Sequence, residues 1–129
     1  MPEKHEHRDE PAALPPAAQT LLIQLQTFQQ QYQTAALQHE ALSLQKLELD
    51  KAVEELSKAG DKEDVFKAVG PILIRSTKAG LAADLAEKRD SVDARLKSTD
   101  AQLKKLREKM GEIQGKLQSM LGGKDETAA

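Results

Sequence analysis

The chain of 129 residues has no cysteine and no tryptophan, and its only aromatic residues are one tyrosine and two phenylalanines. Without cysteine there can be no disulfide and no thiolate metal site, which points to an intracellular, cytoplasmic setting. So few aromatic rings argue against an ordinary globular core, which draws much of its buried area from them. No run of about 18 apolar residues occurs, so no membrane-spanning helix is expected. The opening residues MPEKHEHRDEP lack the apolar stretch of a secretory leader. Nor is there a block of one charge: 19 Lys and Arg are interspersed with 21 Asp and Glu, for a net charge of −2. A nucleic-acid partner would need a basic face, and an anionic membrane surface a basic amphipathic helix. Neither partner is expected.

Catalytic motifs are missing as well. The sequence contains no GxGxxG or phosphate loop, no GxSxG and no HExxH. Gly111-Glu112-Ile113-Gln114-Gly115 lacks the Lys-Ser/Thr pair that a phosphate loop requires. Carboxylates on solvated helix faces have no walled pocket to retune them. No enzyme, no cofactor and no metal site is expected. His5 and His7, one residue apart in a charged tail, are too sparse a set to hold a metal ion.

What the chain does have is two long heptad stripes. The first is Leu21, Leu25, Phe28, Tyr32, Ala35, His39, Leu42, Lys46, Leu49, Val53 and Leu56; its steps alternate four and three without a break. The second is Ala82, Leu85, Arg89, Val92, Leu96, Thr99, Leu103, Leu106, Met110, Ile113, Leu117 and Met120. A 3.5-residue period sustained this long belongs to helices that wind around each other. His39 and Lys46 occupy seam positions of the kind that set register, and each is expected to meet a carboxylate of the facing helix.

The predicted organisation follows from the punctuation. Residues 1–16, with four prolines, form a disordered tail. The first helix runs over about 17–59, with Pro16 suited to its first turn and Gly60 following its end. Residues 65–77 form a hairpin: Val65-Phe66-Lys67-Ala68-Val69, a Gly70-Pro71 break of the type II′ kind, then Ile72-Leu73-Ile74 and onward. A helix interrupted at Gly-Pro is the competing reading, opposed by Pro71 and by the β-branched residues. Val69 is expected to face Ile72, with Phe66 and Leu73 on the opposite side. Ser76 or Thr77 caps the second helix, about 78–121. Gly122-Gly123 ends it, and 122–129 is a second disordered tail.

An isolated two-stranded hairpin is marginal in water, and this one is apolar on both faces with two open edges. It is expected to join strands of other subunits. The fold class is therefore mainly α: a long antiparallel two-helix coiled coil, joined by one β-hairpin that enters an inter-subunit hub, a shared sheet or a β-barrel.

The string Val65-Phe66-Lys67-Ala68-Val69-Gly70-Pro71-Ile72-Leu73-Ile74-Arg75, set between arms of equal length, resembles the hairpin of the prefoldin beta-class subunit. The resemblance covers about residues 18–121. Phe66 stands where Tyr is frequent, Pro71 follows the turn glycine, and the Pro-rich N-terminal tail is longer than in that family. The resemblance implies a hexamer of two alpha-class and four beta-class subunits, with a double β-barrel platform and six coiled-coil arms. It also implies capture of unfolded proteins without ATP and their transfer to a group II chaperonin. The oligomerisation residues would be Val65, Phe66, Val69, Gly70, Pro71, Ile72, Leu73 and Ile74. The chain termini would lie at free tips, making Leu21, Leu22, Ile23, Leu25, Ile113, Leu117, Met120 and Leu121 the client-binding residues.

Bland readings stand beside these. Leu22, Ile23 and Leu121 lie off the seam, as exposed client contacts would, but so do Leu37, Leu44 and Leu47 midway along. Met110 and Met120 read first as core fillers. Gly111 and Gly115 each cost about 1 kcal/mol in a helix interior; they either loosen the tip or are tolerated at exposed sites. Two other functions fit the same pattern: a homo-oligomeric or filamentous subunit of the same type, and a structural coiled-coil adaptor that binds no unfolded chains.

Overall fold

The computed structural model describes residues 14–128. The tail expected over 1–16 falls mostly outside them, as do His5 and His7. In chain order the elements are α1 (Pro16–Lys58), β1 (Val65–Val69), β2 (Ile72–Ser76) and α2 (Lys78–Ala128). The chain divides into two compact units, one from residues up to Tyr32 and from Lys105 onward, the other spanning Gln33–Lys104.

Helix α1 begins at Pro16, where the absent N–H is one the first turn could not pair anyway. It stops at Lys58, but not through a left-handed glycine, since Gly70 alone among the described residues has a positive φ. Lys78 does the work of the cap. Its ammonium donates to the Ala59 carbonyl at 2.7 Å and the Ser57 carbonyl at 3.4 Å, and lies 3.6 Å from Asp61. The start of α2 thereby neutralises the negative end of α1. Thr77 caps α2 in turn: its hydroxyl accepts the Gly80 N–H at 3.0 Å, and its carbonyl accepts the Leu81 N–H at 2.9 Å. A Cβ at residue 80 would sit 2.9 Å from Thr77 Oγ1, so glycine leaves the cap its room.

The hairpin has the expected register. Val69 pairs with Ile72, Ala68 with Leu73, Lys67 with Ile74, Phe66 with Arg75 and Val65 with Ser76. Gly70 takes φ +58°, while Pro71 is confined to negative φ, which together make the type II′ turn. Val69, Ile72 and Ile74 therefore share one face, and Phe66, Ala68 and Leu73 the other.

Helix α2 departs from expectation at its far end. It continues to Ala128, past the Gly122-Gly123 pair that was expected to stop it. Gly122 keeps a negative φ and so provides no left-handed cap.

Heptad spacing translates into burial in both units. In the Gln33–Lys104 unit, Ala35, Leu56, Val92, Thr99 and Leu103 are buried, and Leu42, Leu49, Val53, Leu85 and Leu96 half-buried. Ala82, placed in the stripe by its spacing, is exposed, and Leu81 is half-buried in its place. The step of four from Leu85 reaches residue 81. In the other unit Leu106, Ile113, Leu117 and Ala18 are buried. Burying one such Leu or Ile is worth roughly 1.5–3 kcal/mol.

Candidate functional site

In the unit formed by residues up to Tyr32 and from Lys105, Ala18, Ile113 and Leu117 make a buried cluster, with Leu14, Leu21, Leu22, Leu25 and Phe28 packed against it. Five of the eight expected client-binding residues are thus committed to the unit's own packing: Leu21, Leu22, Leu25, Ile113 and Leu117. The other three are open to solvent: Ile23 (64% exposed), Leu121 (55%) and Met120 (43%). Two expectations change here. Leu22 is half-buried against the cluster rather than exposed beside the seam. Met120, expected as a core filler, is exposed; the buried stripe ends one step earlier, at Leu117. Ala18 and Leu14 were missed, although they extend the stripe backwards from Leu21 by steps of three and four. The Pro15-Pro16 pair disguised Leu14, whereas Ala18 lay within the expected helix. Gln19 fixes Leu14 by donating from its side chain to the Leu14 carbonyl at 2.9 Å.

Polar groups line the same unit. The Arg107 guanidinium donates to the Tyr32 hydroxyl at 3.3 Å, and Lys109 Nζ stands 5.3 Å from the centre of the Phe28 ring. Both tie α1 to α2 at the rim of the seam, the second as a cation–π contact. Gly111 and Gly115 have open space around them, so neither serves a close approach of backbones.

Within the Gln33–Lys104 unit the hairpin carries the densest exposed apolar surface. Leu73 is 69% and Ile72 61% exposed, and Phe66, Val69 and Ile74 stand near half. Each strand pairs on one side only, leaving one backbone edge open per strand. Val65, Lys67 and Ser76, by contrast, are half-buried, and Lys67 reaches Asp84 of α2 at 3.4 Å. Val65, Lys67 and Ser76 share their face with the exposed Val69, Ile72 and Ile74, and Phe66, Ala68 and Leu73 take the opposite one. All eight expected oligomerisation residues lie on this hairpin, Val65 alone among them being half-buried.

The charged seam residues find carboxylates. His39 Nε2 lies 2.7 Å from Asp100, Lys46 Nζ 2.8 Å from Asp93, and Arg89 Nη1 3.4 Å from Asp50. The hydrogen bond between Lys46 and Asp93, reinforced by their opposite charges, raises the pKa of the amine and lowers that of the carboxyl. Leu37, Leu44 and Leu47 are exposed on α1 in this unit. Among the described residues no group of His, Asp and Glu is placed to hold a metal ion, and no helix is long and apolar enough to cross a membrane.

Comparison with known proteins places this arrangement. The model of the family described as "Prefoldin subunit" matches residues 19–124. The chain is 40% identical to the prefoldin subunit beta of Archaeoglobus fulgidus over 84% of its own length and 93% of the relative's. It is 49% identical to that of Methanocella arvoryzae, over 84% and 86%. Among solved structures, the prefoldin beta subunit from Thermococcus strain KS-1 superposes with a TM-score of 0.80 at 35% identity, covering 85% of this chain and 96% of that one.

Proposed function

Since the chain belongs to the prefoldin subunit family, whose members are chaperone subunits and not enzymes, we propose that it is a beta-class subunit of an ATP-independent holdase. Beta-class prefoldin subunits assemble with other prefoldin subunits. The assembly here is a hexamer with two alpha-class and four beta-class chains, in which the hairpins build a shared double β-barrel hub. Unfolded proteins are captured at the region built by Leu21, Leu22, Ile23, Leu25, Ile113, Leu117, Met120 and Leu121 and passed to a group II chaperonin in the cytoplasm. Ile23, Met120 and Leu121 offer the contact surface, and the other five hold the helices that carry it.

The observation that carries this reading is the placement of exposed apolar side chains. They gather on a hairpin with two open edges and, separately, beside the buried cluster around Ala18. Hydrophobic contact is non-directional, which suits varied clients. Nothing in such a surface uses nucleotide.

The test is suppression of aggregation of unrelated denatured proteins by the purified chain together with an alpha-class partner. Protection is expected at equal strength with no nucleotide, with ATP and with a non-hydrolysable analogue. Protection of no unrelated protein would instead identify a coiled-coil adaptor. Full assembly and protection without an alpha-class partner would identify the homo-oligomeric form.

A further inference from the structure

His39, Lys46 and Arg89 hold seam positions where apolar residues would bury more surface, yet each meets a carboxylate across the seam. The pairs keep step. From His39 to Lys46 is seven residues forward on α1, and from Asp100 to Asp93 seven residues back on α2. From Lys46 to Asp50 is four forward, and from Asp93 to Arg89 four back. A single antiparallel alignment satisfies all three. The polarity also reverses along the ladder, since α1 supplies the basic residue in the first two pairs and the carboxylate in the third.

We propose that these three pairs act as a pairing code, which holds α1 against α2 in one register and rejects the other pairings that two heptad stripes would permit. Sliding α2 by one heptad one way sets His39 opposite Asp93 but Lys46 opposite Ala86, Asp50 opposite Ala82 and Arg89 opposite Ser43. Sliding it the other way sets Lys46 opposite Asp100 but Asp50 opposite Leu96, Arg89 opposite Ser57 and His39 opposite Arg107. In either case one basic–acidic pair is regained and the other two are lost, while the heptad stripes still face each other. Like helices fare no better. Two copies of α1 in parallel would stack His39 on His39 and Lys46 on Lys46, and two copies of α2 would stack Arg89 on Arg89. The need is real, because assembly brings several copies of both stripes together and apolar heptads alone discriminate poorly among partners. The mutual shift of Lys46 and Asp93 toward their charged forms agrees with a pair that is made and kept. The ladder stands apart from client binding and holds whether or not the chain captures unfolded proteins.

The chain has no native cysteine, so spin labels can be placed at Ser43→Cys and Ala83→Cys, both exposed in the same unit. Full-length labelled chain, diluted with unlabelled chain in its normal assembly, is expected to give one narrow distance by pulsed electron resonance. The variant His39→Leu, Lys46→Leu, Arg89→Leu is expected to stay helical yet show additional distances, displaced by about 10 Å for a heptad slip at 1.5 Å per residue. Lys46→Asp is expected to broaden the distribution, and adding Asp93→Lys to restore the parent distance. This exchange decides the matter even if the leucine variant does not fold. An unchanged narrow distance in the leucine variant, or no recovery on charge exchange, overturns the proposal and leaves register to the hairpin.

Discussion

The hairpin and the cluster around Ala18 are written in the same apolar residues and use them in opposite ways. Ile113 and Leu117 are buried within the unit that carries them, whereas Ile72, Leu73 and Ile74 remain half or more exposed within theirs. Residue type does not separate the two; supply of a partner does. A helix with a seam stripe finds its partner in the same chain, while a two-stranded ribbon has two faces and one neighbour. From one hairpin face Lys67 reaches Asp84 of α2, yet Val69, Ile72 and Ile74 of that face stay open, as do Phe66 and Leu73 of the other. Intrachain packing is complete in one region and unfinished in the other, which is where assembly is to be sought.

The strongest way to break this comparison is to remove the unfinished region. Deleting residues 65–76 and joining the arms with a short turn is expected to abolish higher assembly by light scattering while most of the helical circular dichroism remains. Ile74→Asp is milder. It sets a charge where the proposed hub has no partner for it, and the assembly should shift to smaller species. Leu37→Asp, at a still more exposed residue on α1, is the control and should leave the mass unchanged.

Leu117→Ala probes the completed region. A buried leucine removed from this cluster should cost about 2 kcal/mol, seen as a lower thermal midpoint with the mass of the assembly preserved. The smallest effect belongs to the Lys46–Asp93 pair. The folded state holds the Asp93 carboxyl below its ordinary 3.8, chiefly through the Lys46 hydrogen bond. Its contribution to stability is therefore complete above that pH and lost as pH falls through the lowered value. Asp93→Asn should lower the thermal midpoint slightly at neutral pH, and in acid titration the difference from the parent chain should shrink below pH 3.8 and vanish once pH passes the lowered value.

Much of this was legible in the residues. Heptad steps located the seam, and Gly70-Pro71 fixed turn and register because proline admits only one sign of φ. The need of His39 and Lys46 for carboxylates was clear from their positions. Which carboxylates answer them depends on register, a property of two helices together and of neither alone. Helix ends were read less well. Gly60 suggested a left-handed stop, yet the capping group is Lys78, distant in sequence and brought there by the turn of the chain. Met120 and Leu22 changed places because a stripe says where burial can occur, whereas the last residues of a seam are covered only as far as the facing helix supplies side chains. Leu14 and Ala18 lay in phase with the stripe, Leu14 ahead of two prolines in what read as tail and Ala18 just inside the expected helix.

The central claim is that assembly and client capture belong to different residues. The direct test replaces Ile23, Met120 and Leu121 together by serine and measures, on one preparation, the mass of the assembly and its suppression of aggregation of an unrelated denatured protein. The expected result is unchanged mass with a marked, partial loss of protection, since each contact is weak and several act together. Full-strength protection at unchanged mass would contradict the claim and move the client surface to Leu37, Leu44 and Leu47.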